Sequence, residues 1–149
     1  MPKDSTHRII NYLMLSIFLV LNFYINIEKD YKLIAIFIGS YILGTEVFGP
    51  DLDTNSKPLH RLGIFSYIIT YPIRLLSHHK GLGHNIFIGW FLKVLYLALI
   101  GIIILVITKK LGYDLYWTLS YIDNIGIISA FLVGMFLSNA IHIISDKIW

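Results

Sequence analysis

Four long apolar stretches with few or no charges constrain this chain more than any other feature. The first, 9–27, has 19 residues and no charge, which is close to the ~20 residues that a helix needs to cross a bilayer core. The others are 31–48, 84–108 and 123–148. A chain of 149 residues with 56% hydrophobic and 14% charged residues is too apolar for an ordinary soluble protein. We therefore predict an all-α integral membrane protein, one domain over 1–149, with four transmembrane helices.

The second and third spans are joined by a long loop, 49–83, which is rich in polar groups. Its middle, 62–76, is apolar, but it contains Pro72 and is too short to cross a membrane. We expect this segment to form a helix that lies in the membrane interface.

Small residues in two of the spans predict close contact between helices. Gly39, Ser40 and Gly44 lie in the second span, and Gly134 and Ser138 lie in the fourth, followed by the polar residue Asn139 as a further candidate for helix contact. Because small side chains let helix backbones approach each other within a membrane, we expect these positions to face neighbouring helices.

Lys93 and Glu46 are two of the charged residues that fall within the predicted spans. Lys93, about two and a half turns into the third span, is expected to extend its ammonium toward the near interface. Glu46, near the end of the second span, is expected either to support a metal-bound histidine or to reach toward the lipid headgroups.

An even number of spans places both termini and the long loop on one side of the membrane. That side carries seven basic residues: Lys3, Arg8, Lys57, Arg61, Arg74, Lys80 and Lys147. The other side carries Lys29, Lys32, Lys109 and Lys110. By the positive-inside rule the richer side is cytoplasmic, in a membrane of the bacterial inner (plasma) type.

The same topology gathers every histidine and several carboxylates on the cytoplasmic side. These residues are His7, Asp51, Asp53, His60, His78, His79, His84, His142 and Asp146. The chain has no cysteine, so a metal would be held by imidazole and carboxylate, a set that suits Zn, Mn, Fe or Ni. The pattern predicts a metal site.

The individual motifs differ in specificity. Asp51 and Asp53 follow Gly49-Pro50, where two carboxylates in extended backbone can turn toward one cation, but without further support a solvated turn is the better explanation of the pair. His79 and His84 flank a glycine-containing turn, and their alternative is histidines placed among lipid headgroups. That alternative suits His60 and His78 best.

His142 and Asp146 are four residues apart, so both project from one helix face. Ionisable groups within a span are costly and usually face a bundle interior, which favours a functional reading. The alternative is that Asp146 caps the helix while His142 bonds a neighbouring helix. His7 precedes the first span, where Ser5 or Thr6 is expected to cap the helix. Its interest is that the topology places it on the same side of the membrane as the other candidate ligands.

Together these motifs resemble a known family. The chain contains P-D-L-D-x-x-S from Pro50, R-x-G from Arg61, Tyr71-Pro72, H-[basic]-x-x-x-H from His79 and H-x-x-x-D from His142, with an early Thr-His. These residues resemble the metal-binding membrane proteins of domain-of-unknown-function family 2227, and also the broader group of membrane-bound proteins predicted to be metal-dependent hydrolases.

The resemblance implies a set of metal ligands: His7, Asp51, Asp53, His79, His84, His142 and Asp146. It also implies that Ser56 and Arg61 accompany them. The chain departs from the family pattern at Leu62, where tryptophan is usual, and at Lys80, where arginine is usual. Lysine offers a phosphate only a point charge, so the departures affect substrate handling more than metal binding.

The leading functional hypothesis is a membrane-embedded protein with a divalent metal, Zn before Mn or Fe, that hydrolyses a phosphoester or lipid-like substrate. In that reaction Asp53 or Asp146 would accept a proton from water. The alternatives are a metal-binding protein without catalysis and a scaffold whose polar cluster is an ion-paired network. Expected partners are membrane lipids and the metal. A run of basic residues with interleaved aromatics is missing, which argues against nucleic acid, and the sequence names no protein partner.

Overall fold

The computed structural model describes residues 4–49, 71, 85–113 and 125–148. Within these ranges it contains four helices: α1 (Asp4–Ile25), α2 (Tyr31–Glu46), α3 (Ile86–Lys110) and α4 (Ile125–Ile148). The prediction of an all-helical chain is thus confirmed for the described residues. The interfacial helix predicted over 62–76 lies outside them, apart from Tyr71.

Three of these helices are long and apolar enough to cross a membrane. They cover Ser5–Ile25, Ile86–Lys110 and Ile125–Ile148. The second helix has only 16 residues, so it is about 24 Å long at 1.5 Å per residue. That is shorter than the roughly 30 Å hydrocarbon core. The expectation of four spans therefore becomes three span-length helices and one shorter helix, α2.

A tight turn joins α1 to α2. Asn26 has a φ of 52°, the left-handed conformation in which asparagine commonly ends a helix. The Asn22 side chain bonds both the N–H and the carbonyl of Glu28, and Asp30 accepts from Lys32 N as the N-cap of α2. Polar side chains thus satisfy the main chain where the helix direction reverses.

Helices α2 and α4 run parallel and form the closest packing in the described bundle. A Cβ added to Gly134 would collide with Ser40, and one added to Gly44 would lie 3.0 Å from the Ser138 side chain. Each glycine thus faces a serine on the other helix, as predicted for Ser40, Gly44, Gly134 and Ser138. Gly39 does not take part, because nothing lies within 4 Å of the position its Cβ would occupy.

The interior of the bundle is more polar than its surface. Large apolar side chains such as Leu99, Ile103 and Ile107 on α3 are about half exposed. The buried polar residues outnumber the buried apolar ones among the described positions, and they are His7, Asn11, Ser40, Thr45, Lys93, Ser138, Asn139, His142 and Ser145. Such a distribution reverses that of a protein folded in water.

Lys93 is one of these interior residues, and its ammonium has a partner that the expectation of a side chain extended toward the near interface did not include. Its side chain is buried, and its Nζ donates to Asn139 Oδ1 on α4 at 2.7 Å. The Asn139 side chain in turn donates to the carbonyl of Ile86. A polar partner on the neighbouring helix therefore holds the ammonium inside the bundle.

Two helix starts and one helix end also differ from the predictions. Ser5 and Thr6 lie within α1, so neither caps it. Helix α3 begins at Ile86 because the Asn85 side chain accepts from two main-chain N–H groups of its first turn. Helix α2 ends at Glu46, two residues before the end predicted for the second span at 48.

Candidate metal centre

Three of the predicted ligands meet where the start of α1 packs beside the end of α4. His7 lies in the second turn of α1, while His142 and Asp146 lie in the last two turns of α4. Helices α1 and α4 run antiparallel, so the start of α1 lies beside the end of α4. Residues far apart in sequence therefore become neighbours. The convergence expected from topology is present for these three side chains.

The carboxylate of Asp146 lies between the two imidazoles. His7 Nε2 is 3.1 Å from Asp146 Oδ1, and His142 Nε2 is 3.7 Å from Asp146 Oδ2. The two rings are stacked, with centroids 4.3 Å apart and planes 9° from parallel. One ligand atom from each of the three residues lies within 4.8 Å of the others, so the three could hold a metal ion.

Burial separates this group from solvent. The exposed fraction is 2% for His7 and 6% for His142, and 11% for the Asp146 side chain. A carboxylate buried beside two imidazoles needs a compensating positive charge, which either a proton or a cation can supply. Two imidazoles and one carboxylate are also a ligand set that Zn and Fe(II) sites use. The residues present therefore fit a divalent metal.

Ser145, which no sequence motif singled out, lies within the same group of side chains. Its hydroxyl lies 2.7 Å from His7 Nδ1 and donates to the carbonyl of His142 at 2.7 Å. The signal available in the sequence was a serine adjacent to Asp146 and three residues after His142. Such spacing places a hydroxyl on the face of α4 that carries both candidate ligands.

A second polar cluster anchors α1 beside the candidate metal centre. Arg8 Nε donates to Glu46 Oε1 at 2.9 Å, and the Tyr12 hydroxyl donates to the same oxygen at 2.7 Å. Glu46 therefore contacts α1 through Arg8, which follows His7, and through Tyr12, which lies one turn after Arg8. Glu46 thus forms a salt bridge between α1 and α2, a contact that neither expectation for Glu46 included.

The remaining predicted site residues fall outside the part of the chain that the structure describes. They are Asp51, Asp53, His60, His78, His79 and His84. Their assignment as ligands or bystanders stays a prediction.

Fold and site together define a helical protein with span-length apolar helices and a buried His/Asp group suited to a metal. The chain belongs to the family described as "Uncharacterized metal-binding protein (DUF2227)", whose model matches residues 2–149. It is also 38% identical over 72 residues to an "Uncharacterized protein" of Aquifex aeolicus (strain VF5). That match covers 48% of this chain and 49% of the relative, so the chain spans about half the relative's length. No solved structure matches.

The family description agrees with the metal-binding part of the resemblance. The printed descriptions of both matches name no reaction and no substrate. The likeness to membrane-bound hydrolases thus has no support from these comparisons.

Proposed function

We propose that this protein is an integral membrane protein that binds one divalent metal ion at the cytoplasmic end of its helix bundle. His7 and His142 bind through Nε2, and Asp146 binds through its carboxylate. The observation that carries the proposal is the approach of these three ligand atoms to within 4.8 Å of one another in a buried place. The family description supports the metal.

The membrane location is supported by the distribution of apolar side chains. Three helices have the length and composition of spans. Exposed isoleucines and leucines would be covered by acyl chains, whereas the polar side chains pair within the bundle. The orientation rests on the distribution of lysine and arginine described above, which is richer on the side of His7 and Asp146.

Zn is the first choice of metal, with Mn and Fe as alternatives. The ligand set contains no thiolate, and a structural Zn site takes four ligands whereas a catalytic one keeps a position open. The three described ligands leave room for at least one more. We propose that Asp51, Asp53, His79 and His84 include the remaining ligands, as the family resemblance implies.

The metal content of purified protein tests the proposal. The protein would be extracted in detergent without chelators, and its metals measured by elemental mass spectrometry. We expect roughly one ion per chain in the wild type. His7→Gln, His142→Gln and Asp146→Asn should each lose most of it, because a site with three described ligands depends on each of them.

Asp30→Asn is the matched control for Asp146→Asn. Asp30 is exposed and caps the start of α2, and asparagine caps a helix as well as aspartate does. The control should therefore keep the wild-type metal content. Equal metal content in the wild type and all three ligand variants would exclude this site, and a metal-free wild type would exclude the metal-binding proposal.

The loop ligands need a separate test. Asp51→Ala and His84→Ala should lower metal content or affinity if the loop completes the site. Unchanged metal binding in both variants would restrict the site to α1 and α4.

Hydrolysis of a phosphoester or lipid-like substrate is the finer part of the proposal. A divalent metal would supply Lewis-acid chemistry, and Asp53 or Asp146 would accept the proton released from water. Incubating metal-loaded protein with generic phosphoesters and lipid extracts tests it. Turnover that is lost in His142→Gln would support catalysis, whereas metal binding without turnover favours the non-catalytic alternative. A scaffold role predicts neither.

A further inference from the structure

Ser145 occupies a position that no ligand assignment explains. It is 4% exposed and precedes Asp146 in α4. Its Oγ lies 2.7 Å from His7 Nδ1 on α1 and 2.7 Å from the carbonyl oxygen of His142. The hydroxyl thus contacts both histidines of the candidate metal centre.

The direction of these two hydrogen bonds follows from the donors available. A serine hydroxyl has one proton, and a carbonyl oxygen can only accept. Ser145 therefore donates its proton to the His142 carbonyl, so its oxygen accepts from His7. His7 Nδ1 must then carry a proton.

A proton on Nδ1 determines what the other ring nitrogen can do. In a neutral imidazole with Nδ1–H, the lone pair is on Nε2. Nε2 is the atom of His7 that lies 3.1 Å from Asp146 Oδ1. The lone pair therefore points into the space that the three candidate ligands share.

The stacking of His7 on His142 does not determine which nitrogen of the His7 ring faces Asp146. Stacking with planes 9° from parallel fixes the plane of the His7 ring. Rotating the ring by half a turn about χ2 keeps that plane but exchanges the edges of the ring. Only a contact to one edge, such as the Ser145 bond to Nδ1, distinguishes the two orientations.

We infer that Ser145 is a positioning residue that holds His7 in its Nδ1–H form, with Nε2 directed at the metal. The inference rests on the proposed function, since it assigns a role toward the proposed metal. Partners that bond the second nitrogen of a metal-binding histidine typically contribute 10- to 100-fold in metal affinity.

The experiment compares three serine variants. Ser145→Ala removes the hydroxyl, while Ser145→Thr keeps one that can bond the same carbonyl within a helix. Ser129→Ala is the control, because Ser129 is an exposed serine on the same helix. Zn²⁺ affinity would be measured by competition with a chelating dye. We expect a loss of about 10- to 100-fold for Ser145→Ala, recovery in Ser145→Thr and no change in Ser129→Ala.

A second readout detects the form of His7 itself. Nitrogen-15 NMR of histidine-labelled protein, with His7 assigned by its disappearance in His7→Gln, shows which ring nitrogen carries the proton. In the Zn²⁺-loaded wild type we expect a protonated Nδ1 and a metal-bound Nε2. If Ser145 were merely structural, the His7 spectrum would be unchanged in Ser145→Ala. We expect instead a mixture of His7 protonated on Nδ1 and His7 protonated on Nε2.

These readouts separate the inference from the proposed function. A wild type that binds Zn²⁺ through His7 Nδ1, or a Ser145→Ala variant with wild-type affinity and an unchanged His7 spectrum, overturns the role of Ser145 while metal binding stands. A wild type that binds no Zn²⁺ overturns both. If a variant folds poorly, the NMR spectrum of the Zn²⁺-loaded wild type still shows which nitrogen of His7 binds the metal and so tests the inference.

Discussion

Gly134 illustrates how a single residue sets the distance between two helices. The position its Cβ would occupy is taken by Ser40, with the Phe37 carbonyl oxygen only 2.6 Å away. Because the carbonyl belongs to the backbone of α2, a rotamer change cannot relieve the collision. A side chain at 134 would push α2 away from α4, the helix that carries His142.

Gly134→Ala should therefore destabilise the protein, by about 1–3 kcal/mol as for other overpacked interiors. Gly39→Ala is the matched control, because its new methyl group meets nothing within 4 Å. Alanine is the better helix former by about 1 kcal/mol, so the control should be neutral or stabilising. Thermal unfolding in detergent, followed by circular dichroism, measures both. Equal transition temperatures would contradict the close packing of α2 on α4.

Residue types predicted some contacts well and others poorly. A glycine or serine within an apolar span signals close packing, but Gly39 and Ser40 look alike in sequence and only the rotation of α2 separates them. The partner of Lys93 was missed for the same reason, since Asn139 lies beside Lys93 only when α3 and α4 are packed together. The Ser145 bond joins residues 138 positions apart, and no local pattern encodes it.

Tyr41 connects two elements and sets the register of α1. It is fully buried on α2, and its hydroxyl proton is shared between the main-chain and side-chain oxygens of Asn11, at 3.0 and 3.1 Å. The Asn11 side chain donates to the carbonyl of His7 at 3.2 Å. The height at which His7 on α1 meets α4 thus depends on the contact between Tyr41 and Asn11, one turn after His7.

Tyr41→Phe should lower stability by about 1–3 kcal/mol, because the buried Asn11 oxygens lose a donor. It should also weaken metal binding, since α1 is less firmly held. Tyr24→Phe is the control: Tyr24 lies on α1, is 85% exposed and should be neutral. Unfolding and Zn²⁺ titration of the two variants provide the comparison. A Tyr41→Phe protein as stable as Tyr24→Phe would show that Asn11 does not hold α1 in register.

Helices were easier to predict than their ends. The length of an apolar run is a property of the sequence alone, so the spans predicted at 9–27, 84–108 and 123–148 overlap α1, α3 and α4 closely. The ends depend on which side chain reaches a free N–H or carbonyl. Helix α3 starts after Asn85, whose side chain accepts from main-chain N–H groups of the first turn. Helix α2 ends earlier than predicted, at Glu46, whose side chain contacts α1.

Across the residues that the structure describes, the helical bundle has a polar interior and an apolar surface, which is the arrangement expected in lipid. The chain has no cysteine, so single cysteines can report its orientation without a background. Ser5 lies on the side of the candidate metal centre, and Lys29 lies in the turn after α1. Both residues are exposed.

In intact cells, a membrane-impermeant maleimide should label Lys29→Cys, whereas Ser5→Cys should react only after permeabilisation. The reason is that, in the proposed topology, α1 spans the membrane with its start inside. Labelling of Ser5→Cys alone would reverse the orientation. Labelling of neither variant before permeabilisation, with release of the protein by alkaline carbonate, would contradict membrane insertion.

The candidate metal centre also sets an order of assembly. Its candidate ligands lie on α1 and α4, so His7 is synthesised well before His142 and Asp146 exist. Until α4 is made, His7 lacks the helix against which it is buried. Metal capture by the proposed centre would then be a late event in biogenesis, and a metal-loaded centre would report that α1 and α4 have packed together.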